Sequence, residues 1–332
     1  MSEDQSRAPS IAPPVPAVPV VGLEHRASFD TLIDARTPAE YALDHLPGAI
    51  NCWVLDDEER HVVGTLYVQQ GAFEARRVGG AMVAANLARH LQERFSDQPA
   101  DWRPLVYCWR GGMRSGAMTH WMRAVGWDAA QLSGGYRQWR RHVVGALDAL
   151  APRLHLVVLA GPTGSAKTRV LQALAAQGEQ VLDLEGLACH KGSLLGDLPG
   201  VPQPTQKAFE TRIVDSLERF DLARTIFVEG ESRKIGRLAV PLGLVQRMRA
   251  APVAEVVAPF QARVDYLLRD YAYLAERPDW FAEQLAPLVP LHGRETIASW
   301  QALARAREAG PLLAAVVGSH YDPAYARSQG VH

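Results

Sequence analysis

The chain is short of cysteine, of long hydrophobic runs and of net charge. Its 332 residues include three cysteines, too few for the disulfide framework of a small secreted protein, and a reducing compartment suits them. No apolar run reaches the roughly 18 residues that span a membrane. The N-terminus begins with the acidic Met-Ser-Glu-Asp, whereas a signal peptide begins with basic residues. We therefore expect a cytoplasmic protein with no membrane partner.

The net charge of −1 excludes the strongly basic balance of a general nucleic-acid binder. Charge is nevertheless uneven along the chain. Six arginines and one acid lie within residues 110–141, and five basic residues and no acid lie within 233–249. These segments are either ordinary solvated faces or surfaces that dock a polyanion. The candidate contacts to such a polyanion are Arg137, Arg140, Arg233, Lys234 and Arg237.

Strands alternate with helices along most of the chain, which predicts an α/β fold with mainly parallel sheets. Proline-rich residues 1–20 are expected to form a flexible tail. The predicted domains are a parallel-sheet domain over 21–145, a linker over 146–153 and a phosphate-loop domain over 154–332 with a largely helical C-terminal part. The linker belongs to a helix expected from Val143 to Arg153.

Local signals predict several elements of these domains. A strand over Thr31–Asp34 is followed by a helix that begins at Pro38, with Thr37 as its N-cap. A helical pattern covers residues 81–95. Another helix follows the first cysteine loop and stops at Gly126. In the second domain, strands are predicted over 154–160, 180–184 and 225–229.

The segment 105–115 reads as a buried strand, a cysteine, a Gly-Gly loop with two arginines, and a helix. Loop N–H groups and a helix N-terminus would stabilise the thiolate of Cys108. Arg110 and Arg114 add positive charge, and an inert core cysteine needs neither the arginines nor the glycines. We therefore predict Cys108, Arg110 and Arg114 as catalytic residues. The other two cysteines lack such surroundings.

A second loop has the order strand, glycine loop, Lys-Thr, helix, which is the Walker A context. Lys167 would reach phosphates, and Thr168 could ligate Mg²⁺. The consensus places glycine where this chain has Ala166, and alanine is strained there if φ is positive. Phosphate binding is therefore predicted, and nucleotide hydrolysis stays open. The predicted phosphate-binding residues are Gly161, Thr163, Gly164, Ser165, Ala166, Lys167 and Thr168.

Polar side chains follow two further strands of the second domain. Carboxylates at the carboxyl ends of parallel strands either face a ligand beside the phosphate loop or act as caps and surface charges. The candidate second site is Asp183, Glu185, His190, Glu229 and Glu231. No metal centre and no tightly bound cofactor are expected from these residues.

Three dispersed segments, 34–41, 44–51 and 132–139, resemble signatures of the rhodanese family. The resemblance implies a rhodanese-like domain whose loop cysteine, Cys108, carries sulfur or selenium as a persulfide or perselenide. The spacing from Cys108 to Arg114 is C-x5-R, one residue longer than in the usual sulfur carriers. That length is similar to rhodanese-like phosphatases and arsenate reductases, although those have histidine where this chain has Tyr107.

From about residue 21 to 325 the chain resembles the tRNA 2-selenouridine synthase family, a rhodanese domain fused to a P-loop domain. The segments that carry the likeness are 108–115, 183–188, 190–193, 203–206 and 229–235. The resemblance implies that geranyl diphosphate alkylates the wobble 2-thiouridine of tRNA and that selenium from selenophosphate then replaces the geranylthio group. It also implies tRNA as the polyanion. The chain departs from the family at Ala166 for glycine, Cys189 for asparagine and Lys191 for arginine.

Three other functions remain open at this point. The C-x5-R count favours a rhodanese-type phosphatase or arsenate reductase fused to a nucleotide-binding domain. The phosphate loop alone would fit an ATP-dependent kinase or transferase in which the first domain takes no part. A non-catalytic thiol sensor that binds nucleotide or RNA would need neither reaction.

Overall fold

The computed structural model describes residues 18–193, 195–230 and 233–329. The chain divides into two compact units between Arg140 and Arg141. Residues 1–17 of the expected tail and the candidate site residue Glu231 lie outside the described residues. Each unit contains a parallel sheet with helices, so the predicted α/β class is confirmed.

The first unit is built on a five-stranded sheet of order β1-β5-β4-β2-β3 in which every pairing is parallel. The strand β4 is the central strand of this sheet and is buried along its whole length. The loop after β4 therefore starts in the middle of the sheet's carboxyl edge. The strands are β1 Val20–Val21, β2 Thr31–Asp34, β3 Ile50–Asn51, β4 Pro104–Tyr107 and β5 Ala130–Leu132. The helices are α1 Pro38–Leu43, α2 Asp57–Gln69, α3 Ala72–Glu93, α4 Met113–Val125 and α5 Gly135–Leu150.

Local sequence signals account for most of these boundaries. The strand β2 and the start of α1 are confirmed. The Thr37 side chain accepts a hydrogen bond from the Glu40 N–H, and the Glu40 side chain accepts one from the Thr37 N–H. Gly126 ends α4 in the left-handed conformation, as predicted. The helix expected over 81–95 is the longer α3, and α2 was missed. The helix α2 has no buried residue, so it shows no apolar periodicity.

The helix α5 differs from the expected linking helix. It begins at Gly135 rather than at Val143 and ends at Leu150. Its first part belongs to the first unit, where Trp139 is fully buried. Leu147 and Leu150, near its end, pack against the core of the second unit. The sequence prediction placed the start too late, although Tyr136, Trp139 and Val143 recur at helical spacing, because the adjacent Gly134 and Gly135 indicate a loop.

The second unit holds a four-stranded parallel sheet of order β11-β6-β8-β7 and an antiparallel hairpin of β9 and β10. Because β6, β7 and β8 are parallel, the segments after them meet at one edge. Its strands are β6 His155–Ala160, β7 Gln180–Leu182, β8 Thr225–Glu229, β9 Lys234–Ile235, β10 Leu238–Ala239 and β11 Val253–Glu255. Its helices are α6 Lys167–Ala176, α7 Leu184–Ala188, α8 Gln206–Glu218, α9 Leu242–Arg249, α10 Phe260–Asp270, α11 Ala272–Glu276, α12 Pro278–Gln284, α13 Val289–His292, α14 Arg294–Arg305, α15 Ala309–Val316 and α16 Asp322–Gln329.

The C-terminal part of the second unit is helical, as predicted, and α10 to α16 supply most of a separate hydrophobic core that includes Phe281, Trp300 and Val316. The strand predicted over 180–184 ends earlier, at Leu182. The reason is that the Asp183 side chain accepts from the N–H of Gly186 and starts α7. Within the described ranges, no helix is both long enough and apolar enough to cross a membrane.

Candidate functional site

Cys108 lies directly after β4, where its side chain is 3% exposed. Its Sγ accepts a hydrogen bond from the Gly112 N–H at 3.3 Å and from the Ser115 hydroxyl at 3.1 Å. Burial raises the pKa of the Cys108 thiol. The hydrogen bonds from Ser115 and Gly112, together with the charge of Arg114, outweigh burial and leave the pKa below its ordinary value. The site therefore favours a thiolate.

The hydroxyl of Ser115 is oriented by a buried glutamine on the neighbouring strand. Gln131 donates from Nε2 to Ser115 Oγ at 2.8 Å and to the Gly112 carbonyl at 2.9 Å. Because Ser115 Oγ accepts from the amide, its own proton is free to point at the sulfur. Gln131, Ser115 and Cys108 thus form a chain of hydrogen bonds that ends on the thiolate.

The start of α5 holds the cysteine loop from the other side. The Tyr136 N–H donates to the Cys108 carbonyl at 2.8 Å, and the Arg137 N–H donates to the Trp109 carbonyl at 3.0 Å. Gly135 makes this approach feasible, since its φ is +55° and a Cβ there would lie 2.2 Å from the Cys108 carbonyl oxygen. Close packing on the thiolate loop therefore explains Gly135, whereas Gly134 has φ +66° and a Cβ there would lie 2.9 Å from the Gln138 side chain.

The two predicted arginines of the loop differ in their surroundings. Arg114 forms a bidentate pair with Glu40, at 2.5 Å from Nη1 to Oε2 and 3.2 Å from Nη2 to Oε1. Glu40 also belongs to the capping box of α1. The start of α1 therefore holds Arg114 in place. Arg110 is exposed, and within the described ranges its side chain has no ion pair. Arg110 is therefore the cation of the loop that can meet an incoming anion.

Tyr107, which stands where the phosphatases have histidine, is a fully buried packing residue. Its hydroxyl accepts from the Leu46 N–H at 3.1 Å, and burial raises its pKa well above the ordinary value. Behind it, Arg36 forms a buried ion pair with Asp34 at 2.6 Å. No imidazole general base therefore sits at this position beside Cys108.

The phosphate loop follows β6 and is closed by α6. Ala166 has φ +63° and ψ +29°, so the predicted strain at this position is confirmed. Gly161 and Gly164 allow close contact with the rest of the unit. A Cβ on Gly161 would lie 2.5 Å from the Val256 carbonyl, and one on Gly164 would lie 2.9 Å from the Arg263 carbonyl. The loop is thus packed between β11 and α10.

Side chains in the phosphate loop and on the neighbouring α10 provide hydrogen-bond donors. Lys167 donates from Nζ to the Gly161 carbonyl at 2.8 Å. Ser165 is 4% exposed, and its Oγ finds no hydrogen-bond partner among the described residues. Arg263 on α10 donates to the Thr163 carbonyl at 3.1 Å and is held by Asp322 at 2.6 Å. These contacts fix a cradle suited to the oxygens of a diphosphate.

The candidate carboxylates have three different environments. Glu185 accepts from the Thr168 hydroxyl at 3.2 Å and so lies at the phosphate loop. Asp183 caps α7, as described above. Glu229 is fully buried and accepts from the Leu184 N–H at 3.0 Å. Burial and the neighbouring Asp183 raise the pKa of Glu229 to about 9, which makes it a neutral carboxylic acid at pH 7.

His190 is 4% exposed and packs tightly between two glycines. A Cβ on Gly196 would lie 2.7 Å from its Cε1, and one on Gly236 would lie 2.8 Å from its Nε2. Its Nδ1 has no partner within the described ranges, and its Nε2 lies 3.5 Å from an Asp197 oxygen. Burial lowers the pKa of His190, and Asp197 opposes this only in part, so the ring is neutral at pH 7.

The segment 203–206 has a structural role that the sequence did not reveal. Gln203 donates to the Ile235 carbonyl at 3.0 Å and accepts from the Arg237 N–H at 2.9 Å. Gln206 donates to the Ala239 carbonyl at 2.8 Å and accepts from its N–H at 2.9 Å. The two amides pair with the hairpin as a strand would. They hold the basic segment Arg233–Arg237, whose cationic side chains are exposed.

The other two cysteines lie elsewhere. Cys52 is fully buried, and burial raises the pKa of its thiol. Cys189 is half-buried with φ +51°, and Arg212 lies 3.4 Å from its sulfur. The resemblance implies asparagine at position 189. A left-handed backbone favours asparagine, so the conformation gives a physical reason for that residue.

The structure therefore brings the predicted residues into two separate sites. One surrounds Cys108, and Arg137 lies exposed near it while Arg140 is half-buried. The other surrounds Lys167 and includes Glu185. Within the described ranges, no three His, Cys, Asp or Glu side chains are grouped to hold a metal ion. Five supporting residues were not predicted as site residues. They are Ser115, Gln131, Arg263, Gln203 and Gln206. Ser115, Gln203 and Gln206 nevertheless lie in segments that carry the family resemblance, and Gln131 is a polar side chain on the short strand β5.

Each of the two units matches a known protein family. Residues 22–142 match the Rhodanese-like domain, and residues 154–285 match the tRNA 2-selenouridine synthase AAA domain. A rhodanese-related protein from Thermoplasma volcanium has 16% identity over 37% of this chain and 92% of its own, with a TM-score of 0.25 that is too low to carry an argument.

Curated relatives extend the match over most of the chain. A tRNA 2-selenouridine synthase of Nitrosomonas europaea is 35% identical over 78% of this chain and 67% of its own length. That of Cupriavidus necator is 34% identical over 89% of this chain and 87% of its own. That of Verminephrobacter eiseniae is 36% identical over 89% and 88%. With both domain matches and this coverage, the chain belongs to the tRNA 2-selenouridine synthase family.

Proposed function

We propose that this chain is a tRNA-modifying transferase that converts the wobble 2-thiouridine of tRNA to 2-selenouridine in two stages. Geranyl diphosphate first alkylates the sulfur, and selenophosphate then supplies selenium in place of the geranylthio group. Family membership supports the tRNA modification. The assignment of two stages is supported by one observation: the first unit has a loop that favours a thiolate at Cys108, and the second unit has a phosphate loop at Lys167.

The phosphate loop is assigned to the first stage. The thiouridine sulfur attacks the first carbon of the geranyl group, a C–S bond forms, the C–O bond to diphosphate breaks, and the N3 proton of the base is released to water. The departing diphosphate carries negative charge that Lys167 and the loop N–H groups would stabilise. If Mg²⁺ takes part, the oxygens of Thr168 and Glu185 would hold it, and it would neutralise charge on the diphosphate.

The cysteine site is assigned to the second stage. Selenium bonds to C2 of the modified pyrimidine while the C–S bond breaks and geranyl thiol leaves, and water releases the phosphate. Selenophosphate is close to phosphate in charge and shape, so exposed Arg110 is a suitable donor to it. Cys108, whose pKa is below its ordinary value, provides a thiolate that attacks the phosphorus of the bound anion. A P–S bond forms as the P–Se bond breaks, selenide is released to attack C2, and water then hydrolyses the P–S bond to free the phosphate.

The test is reconstitution of both stages. Purified protein is incubated with 2-thiouridine tRNA, geranyl diphosphate and selenophosphate, and the digested nucleosides are analysed by mass spectrometry. We expect a geranylated nucleoside with the first donor alone and 2-selenouridine with both. The absence of both nucleosides would refute the proposal. Hydrolysis of a generic phosphomonoester at the Cys108 site, without selenation, would favour the phosphatase alternative instead.

A further inference from the structure

The second unit contains an open cleft of about 840 Å³ to which the proposed reaction assigns no substrate. Its walls come from the segment after α7, the turn of the β9–β10 hairpin, and α12. Apolar lining is provided by Leu198, Val201 and the half-buried Trp280. Lys234 and Arg237 lie on the hairpin side, so the cleft joins an aromatic ring to a cationic rim.

The segments that line the cleft follow strands whose carboxyl ends lie at one edge of the sheet. One wall comes after β7 and α7 and the other after β8, while the phosphate loop follows β6. Two hydrogen bonds join the elements from which these segments start: Thr168 bonds Glu185 at 3.2 Å, and the Leu184 N–H bonds Glu229 at 3.0 Å. We therefore expect a group in the cleft to lie towards the same edge of the sheet as a diphosphate on the loop.

We propose that this cleft receives the acceptor nucleotide, a pyrimidine turned out of the tRNA anticodon loop, with its ring against Trp280 and its flanking phosphates on the β9–β10 hairpin. The assignment rests on the proposed function, because it takes tRNA as the substrate. The walls around the cleft include segments 190–193 and 203–206, which the sequence singled out without a role.

The chemistry of the lining favours a nucleotide over the prenyl chain. A prenyl chain has no polar atoms and needs an enclosed apolar slot. Here Ser193, Asp197 and Gln284 place donors and acceptors among the apolar walls. A pyrimidine has a flat face to stack and a polar edge to bond, and unstacked bases of RNA loops are recognised in this way. The exposed cations of the hairpin complement the phosphates on either side of the base.

The hairpin is rigidly placed for this task. Gln203 and Gln206 bond its backbone at four positions, at 2.8 to 3.0 Å. Gly236 at its turn has φ +55° and leaves no room for a Cβ, which would lie 2.3 Å from Gln203 Oε1. The cationic side of the cleft is therefore fixed by the amides of segment 203–206.

The experiment uses the full chain and two labelled RNA hairpins that reproduce an anticodon stem and loop. One carries 2-thiouridine at the wobble position, and the other is abasic there. By fluorescence anisotropy we expect the intact hairpin to bind about tenfold more tightly, as for a stacked base. Trp280→Leu should remove this preference and leave the abasic affinity unchanged. Lys234→Ala should weaken both hairpins equally, since it contacts phosphate.

Two further variants secure the result. Val201→Trp fills the cleft from an exposed wall position, so it should also remove the preference even if Trp280→Leu folds poorly. Trp121→Leu replaces an exposed tryptophan on α4, far from the cleft in sequence, and should keep the preference.

The proposal is overturned if the wild-type protein shows no preference, or if both cleft variants retain it. It is also overturned if those variants weaken geranyl diphosphate binding and spare the hairpins, because the prenyl chain then occupies the cleft. Failure of the proposed function has a different signature: reconstitution yields no modified nucleoside whatever the hairpins do.

Discussion

At the scale of single residues, the reactivity of Cys108 depends on neighbours that are far from it in sequence. Ser115 donates to the sulfur and Gln131 orients Ser115, at sequence separations of 7 and 16 residues. The sequence alone predicts an activated cysteine, because the Gly-Gly loop and the arginines are contiguous with Cys108. It could not show which hydroxyl reaches the sulfur, since that contact is set by the packing of β5 against α4.

Ser115→Ala is expected to raise the pKa of Cys108. The native pKa is lowered, so thiolate is present at lower pH than in a free cysteine, and removal of the hydroxyl shifts its appearance to higher pH. The pH profile of alkylation by iodoacetamide measures the shift. Thr119→Ala removes another buried hydroxyl of α4, bonded at 2.9 Å to the Ser115 carbonyl and not to the sulfur. An unchanged Ser115→Ala profile, or an equal shift in Thr119→Ala, would contradict the assignment.

Ala166→Gly is expected to stabilise the second unit slightly. Alanine in the left-handed region costs about 1–2 kcal/mol, and the greater freedom of glycine in the unfolded chain offsets part of the gain. A net increase of less than about 1 kcal/mol in the free energy of unfolding should appear in thermal or urea unfolding. Ala173→Gly, the same change within α6, should instead destabilise by about 0.5–1 kcal/mol. Destabilisation by both would mean that Ala166 is not strained.

At the scale of elements, side-chain amides and caps decide where strands end and how the hairpin sits. The sequence indicated β6, β8 and the glycine loop well, because apolar strands followed by glycine leave a strong local signal. It set the end of β7 too late, because Asp183 reads equally well as a strand end or a helix cap. The contact of Arg263 with Thr163 spans 100 residues, and no local pattern predicts it.

Gln206→Leu is expected to loosen the β9–β10 hairpin. The leucine is similar in size but leaves the N–H and carbonyl of Ala239 without their partners at 2.9 and 2.8 Å. Hydrogen exchange of the hairpin amides should speed up about tenfold or more, for a loss of roughly 1–3 kcal/mol. Gln246→Leu, at an exposed position of α9, serves as the matched control. Unchanged exchange in Gln206→Leu would show that the amide does not hold the hairpin.

Glu229→Gln, at the end of β8, is expected to remove a loss of stability that develops as pH rises from about 4 to about 9. The pKa of Glu229 is about 9 when folded and about 4.3 when unfolded, so its protonated form favours folding. That contribution is full below the unfolded value and is lost as pH rises towards the folded value. Glutamine stays neutral and keeps a similar shape, so the variant should have the higher melting temperature near pH 9 and a similar one near pH 5.

Glu283→Gln provides the control for this prediction, since it removes a carboxylate at an exposed position of α12. Its melting temperature should follow that of the wild-type protein at both pH values. If Glu229→Gln shows the same dependence on pH as the wild-type protein, Glu229 is not a neutral buried acid.

At the scale of the whole molecule, we propose that each of the two units supplies a different anion site. Their order along the chain and their α/β class could be predicted because each has its own contiguous motif. The exposed α2 could not, since its polar surface hides the helical period. The start of α5 was placed too late because the adjacent Gly134 and Gly135 indicate a loop. The division of labour between the units is the central claim, and it predicts that each stage can be lost separately.

Separation of the stages in two variants tests that claim most directly. The measurement is nucleoside mass spectrometry of 2-thiouridine tRNA after incubation with geranyl diphosphate and selenophosphate. Cys108→Ala should accumulate the geranylated nucleoside and form no 2-selenouridine. Lys167→Ala should slow geranylation about a hundredfold or more, yet still convert tRNA that is supplied already geranylated. The reverse pattern, or loss of both stages in each variant, would contradict the assignment of one stage to each site.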